Sequence, residues 1–152
     1  MIWDSKKSVI LSIICTRAVI VFAVAVAAIL PWLVSSGFFA DSAFRIQDAV
    51  VAKLMPIYYV ACAPVLAALF HVNALLTAIR AGRVFVGANV RYLRVISWCC
   101  FVAAAVFLVG ARGSLALIFI AAAAAFAGLL LRVVKNVIQA GVELKDEHDY
   151  TI

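Results

Sequence analysis

Few side chains in this sequence could do chemistry, and most of those sit where a membrane would make them costly. Arg17 interrupts one long apolar run, and His71, Asn73 and Thr77 interrupt another. Counted inward from the polar boundaries at Ser8 and Arg80, Arg17 and His71 each lie ~14 Å along a helix. An arginine at that depth is expensive unless it snorkels, pairs or faces water. Two readings stand: an arginine reaching lipid phosphates, or a polar site inside a helix bundle. A neutral imidazole can accept a hydrogen bond from a guanidinium, so Arg17 and His71 are expected to be neighbours. With Asn73 they would form an intramembrane polar group that could serve transport or proton movement, or could simply be packed.

The second chemical feature is charge. Arg80, Arg83, Arg91 and Arg94 fall within fifteen residues that hold no acid, and Glu143, Asp146, Glu147 and Asp149 crowd the chain end. Either set could bind a partner, or the two could clasp one another. Exposed pairs contribute ~0–1 kcal/mol each, so a clasp would also need apolar packing, with Leu144 and Ile152 at hand. Catalysis finds little support: the sequence has no nucleophile with a base, phosphate loop or metal-ligand spacing. The expectation is a protein that is not an enzyme and holds no cofactor or metal. His148 reads as a solvated tail residue. Cys15, Cys62, Cys99 and Cys100 all lie in apolar runs and read as small packing residues.

The elements that must position these groups are long apolar helices. The 152 residues are 68% apolar and 13% charged, with a formal charge of +6, against ~45–50% and ~25% for soluble domains. Cations that flank apolar runs mark a bilayer's edge rather than a nucleic-acid surface, so direct nucleic-acid binding is not expected. The reading is all-α: a single domain, residues 1–152, of four transmembrane helices. Spans fall at about 8–34, 51–79, 93–110 and 115–134, with a loop at 80–94 and a helical tail at 135–152. The first run, about 26 residues, exceeds a ~7–15-residue signal core. Pro31 and Trp32 suit its end, and an outer loop with Asp41, Arg45 and Asp48 follows. Lys53 and Pro56 are expected to open the second helix, because proline suits a first turn. Pro64 should kink it, and Tyr58 and Tyr59 fit an aromatic belt.

Gly82 and Gly87 are expected to break the chain between spans two and three, and Asn89 to cap a helix starting at Val90. The turn at 110–114 makes spans three and four a hairpin. Ala124 and Gly128, four apart, let helices approach closely in lipid; internal packing is the reading preferred, and a homo-oligomer face the alternative. Cations at the N-terminus, the central loop and the tail outnumber those of the other two loops. The positive-inside rule therefore places both termini in the cytoplasm.

The tail from Ala140 to Ile152 resembles the closing motif of a bacterial membrane family known as domain of unknown function 2975. Gly141, Glu143, Leu144, Lys145, Asp146, Glu147, Asp149, Thr151 and Ile152 match, and Tyr150 stands for the usual leucine. Gly82-Arg-Val-Phe85 with Asn89-Val-Arg-Tyr-Leu93-Arg94 resembles the family's second motif. Relatives carry a hydroxyl residue and an acid between that Phe and Asn, where this chain has Val86, Gly87 and Ala88. The resemblance implies the four-span layout and the bacterial inner membrane. By association it also implies a small helix-turn-helix regulator as cytosolic partner. The functional expectation is a non-catalytic membrane protein whose loop and tail bind such a partner and whose arginines touch lipid headgroups. The alternatives are a small transporter or channel using Arg17 and His71, or an accessory subunit of a larger membrane complex.

Overall fold

The computed structural model describes residues 5–36, 48–112 and 114–150. Asp41 and Arg45 of the outer loop, the side chains of Asp48 and Asp149, and Thr151 and Ile152 lie outside the described residues. Four helices account for most of the described residues: α1 (Ser5–Ser35), α2 (Asp48–Arg80), α3 (Gly87–Gly110) and α4 (Leu115–Tyr150). All four are long and apolar enough to cross a membrane. The chain is a multi-pass membrane protein built as a helical bundle.

The helices pack in chain order, α1 on α2, α2 on α3 and α3 on α4. Buried residues concentrate on α3, which has a neighbour on each side: Val90, Leu93, Ile96, Ala103 and Ala104 are all buried. Outward faces carry the apolar groups that lipid solvates, such as Phe22 at 70% exposure. Such a distribution would be intolerable in water but is the expected one where hydrocarbon is the solvent.

In lipid every polar group must find an internal partner, and several hydroxyls do so locally. Ser12 Oγ donates to Ser8 O (3.0 Å), Thr16 Oγ1 to Ser12 O (2.8 Å) and Thr77 Oγ1 to Asn73 O (2.7 Å). Pro31 lies inside α1 and has no N–H, so the Ala27 carbonyl one turn earlier loses its helical donor. Tyr59 of α2 supplies the replacement: its hydroxyl donates to Ala27 O at 2.9 Å. Pro56 does not stand in the first turn of the second helix. It lies well inside α2, as does Pro64, because the helix already begins at Asp48.

Two glycines set close approaches between helices. A Cβ on Gly110 would meet Ile57 Cδ1 of α2 at 2.5 Å. One on Gly128 would meet Phe101 and Cys100 of α3 at 3.2–3.3 Å. Gly128 is buried against α3, and Ser97 Oγ donates to its carbonyl at 2.9 Å. The small face of α4 thus packs inside the bundle, as the preferred reading of Ala124 and Gly128 has it. The α3–α4 turn closes with Ser114 N–H on Ala111 O at 2.9 Å, and Lys53 Nζ donates to the Arg112 carbonyl, joining α2 to that turn.

Candidate functional site

The polar groups gather at the end of the bundle that carries the α2–α3 loop. Gly82 makes the loop possible. Its φ is +76°, a left-handed conformation that costs glycine nothing. Gly82 N–H reaches Ile79 O (3.0 Å) and Arg83 N–H reaches Ala78 O (3.1 Å), the paired bonds of a Schellman ending. Gly87, by contrast, does not break a helix; it is the first residue of α3.

Asn89 is not the cap of α3. Val86 holds the cap position, with φ −136° and ψ 139° and no side-chain cap bond. Asn89 stands three residues further on, inside the first turn, and is only 1% exposed. Its Nδ2 donates backward to Arg83 O (2.7 Å) and Val84 O (2.8 Å). One buried carboxamide thereby ties the loop to the helix it precedes, while its Oδ1 has no hydrogen-bond partner. Asparagine three residues after the true cap can reach the loop only because Gly82 has already turned the chain.

Beside this knot lies a cleft of about 460 Å³, lined by Arg17 of α1, Asn73 and Thr77 of α2, Arg83 of the loop, and Asn89 and Tyr92 of α3. Arg17 Nε donates to Asn73 Oδ1 at 3.3 Å. His71 is not Arg17's partner. Its Nδ1 donates to the Ala67 carbonyl at 2.7 Å, and its ring meets Tyr92 edge-on, with centroids 5.9 Å apart at 64°. Residues 71 and 73 are two apart, so helical rotation turns them to different faces. Depth alone could not distinguish them, because they differ by only ~3 Å along the axis.

Loop and tail also meet at this end, and the contact is apolar. Phe85 lies against Gly141, where a Cβ would fall 2.6 Å from Phe85 Cε1 and 2.7 Å from Cδ1. Only a residue without a side chain allows that ring so near the helix. Arg80, Arg83, Arg91 and Arg94 are exposed, as are Glu143, Asp146 and Glu147. Glu143 accepts a hydrogen bond from Gln139 on its own helix at 3.1 Å. Both segments singled out in the sequence thus touch, through Phe85 of the loop and Gly141 of the tail.

A family of proteins of unknown function, DUF2975, matches residues 36–152. The chain belongs to the DUF2975 family. The match takes in α2, α3 and α4, and with them Asn73, Arg83, Asn89, Tyr92 and the Phe85–Gly141 contact. Arg17, on α1, precedes the matched range, so the polar cleft of this DUF2975 protein joins one helix outside that range to two within it. No curated protein and no solved structure matches the chain.

Proposed function

We propose that this protein is a non-catalytic membrane docking platform, with the loop end in the cytosol of a bacterial cell and the end of α4 as the recognition element. The observation that carries this reading is the length and surface of α4. Its 36 residues span ~54 Å, against ~30 Å of hydrocarbon. Beginning at Leu115, roughly the last 16 residues therefore stand beyond the bilayer. That segment turns Ile138, Gly141 and Val142 inward, where they are half-buried. Val137, Ala140 and Leu144, at spacings of three and four, form a separate stripe. Val137 is 66% and Leu144 67% exposed. A soluble helix end that shows apolar residues in register, with Glu143 and Glu147 alongside, has the form of a helix awaiting a groove.

The acids disfavour burial of this stripe in an anionic leaflet and favour a partner with a basic rim. Small DNA-binding regulators are basic by necessity, and the resemblance of the loop and tail motifs implies a helix-turn-helix regulator. The Phe85–Gly141 contact supports the reading by holding the loop arginines beside the projecting helix. Affinity capture of the full-length protein from its native membranes tests it. The parent is expected to retain a small helix-turn-helix protein. Leu144→Ser, and removal of residues 143–152, should reduce that recovery at least roughly tenfold, as loss of a buried anchor does. Equal recovery by parent and variants would sink the proposal.

A transport reading draws on the cleft at Arg17 and Asn73. It is less well supported, because the cleft belongs to the loop end, whereas the space between α1 and α2 at the other end is lined by Val26, Leu30, Val34, Val51, Leu54, Met55 and Tyr58.

A further inference from the structure

At the loop end of the α3–α4 pair lies a cavity of about 60 Å³, walled by Arg94, Ser97 and Trp98 of α3 and Arg132 and Lys135 of α4. Three of those five side chains are cations and none is an acid. On α3 the positions fall at i, i+3 and i+4. On α4, Gly128, Arg132 and Lys135 fall at i, i+4 and i+7, so each set shares a face. The two faces are fastened to each other. Ser97 bonds the Gly128 carbonyl at 2.9 Å. The Arg132 guanidinium lies 5.5 Å from the Trp98 ring centroid and 5.9 Å from that of Phe101, a cation–π arrangement that holds the charge in place.

Three like charges converging on one small space repel one another, and repel more strongly near hydrocarbon than in water. Along α4 the first acid, Glu143, comes ~12 Å beyond Lys135. No acid is among the described residues that line this space, and the membrane offers a counter-charge. Arg132 stands ~25 Å along α4 from Leu115, and Arg94 ~24 Å along α3 from Gly110. With ~30 Å of hydrocarbon, both backbones stand ~5 Å inside its boundary on the loop side, within snorkelling reach of the phosphates, where basic pockets between helices bind lipid headgroups.

We propose that Arg94, Arg132 and Lys135 seat the phosphate of an anionic phospholipid at the root of the docking helix. The lipid's acyl chains would follow the apolar outer surfaces of α3 and α4, and its phosphate would relieve the repulsion among the three cations. This site is separate from the α4 stripe and stands whether or not a cytosolic partner exists.

Trp98 reports on the site directly. In full-length protein carrying Trp3→Phe and Trp32→Phe, Trp98 is the remaining tryptophan of three. The protein is reconstituted in phosphatidylcholine nanodiscs containing phosphatidylglycerol or phosphatidylcholine spin-labelled near the glycerol backbone. Phosphatidylglycerol should quench Trp98 with roughly tenfold preference over phosphatidylcholine at equal mole fraction. Arg132→Gln with Lys135→Gln should abolish the preference. Arg132→Lys with Lys135→Arg, which keeps both charges, should retain most of it and controls for folding. Equal quenching by the two lipids, or a preference that survives the glutamine pair, would overturn the proposal. Loss of the preference on adding millimolar inorganic phosphate would assign the seat to a soluble anion and overturn the lipid assignment.

Discussion

Asn89 shows how much one side chain can decide. Its residue type and its position after a glycine-containing loop are those of a helix cap, yet Val86 takes that position and Asn89 is buried inside the first turn. The difference lies in direction. A cap accepts from the helix ahead of it, whereas this carboxamide donates to two carbonyls behind it. Asn89→Ala should therefore lower stability by ~1–3 kcal/mol, because two loop carbonyls lose their donor in a buried setting. Asn89→Asp should be at least as damaging, since it turns a carboxylate oxygen toward those carbonyls. Detergent-solubilised thermal unfolding checks both, and an aspartate variant as stable as the parent would contradict the donor role. Arg17 gives the complementary lesson. That it must snorkel, pair or face water was legible from its depth; that it pairs with Asn73 rather than His71 follows from helix rotation.

The elements were legible wherever hydropathy speaks. Four apolar stretches became four helices, and the hairpin of α3 and α4 and the Gly82 ending follow from local sequence. Helix starts were harder. Pro56 and Asn89 both suggest starts later than those found, because an apolar helix in lipid extends past any residue whose polar groups can be satisfied elsewhere. Tyr59 doing so for the Ala27 carbonyl behind Pro31 is the clearest case. At this scale Gly128 carries the prediction. Gly128→Ala should cost little, since its Cβ would meet Phe101 and Cys100 at 3.2–3.3 Å and small shifts suffice. Gly128→Leu should separate α3 from α4, break the Ser97 bond and cost ~1–3 kcal/mol. An unfolding series over glycine, alanine and leucine would show it, and a leucine variant of parental stability would mean that α4 does not pack on α3 through this face.

For the whole molecule the question is which way it faces. The loop and tail share one end because Phe85 rests on Gly141, and the Lys53–Arg112 contact marks the other. By the positive-inside rule the loop end is expected to face the cytoplasm. Single cysteines at Arg83, Lys145 and Arg112, in a background without Cys15, Cys62, Cys99 and Cys100, test that orientation. The first two should react with impermeant maleimide only in inverted vesicles, and the third only in intact cells. Reversal of that pattern would move the recognition end of α4 outside the cell.

Composition and periodicity by themselves determined the solvent this chain folds in and the number of its helices, because burial in hydrocarbon depends on sums over twenty residues and not on any one contact. The family, too, is written in the loop and tail motifs, since those are runs of residue types in fixed order. Tertiary structure alone decided which groups meet: Arg17 with Asn73, Asn89 with the loop carbonyls, Phe85 with Gly141, Arg132 with Trp98. Those pairings depend on helix rotation and on where glycine permits close approach, and these are fixed by packing between segments distant in the chain.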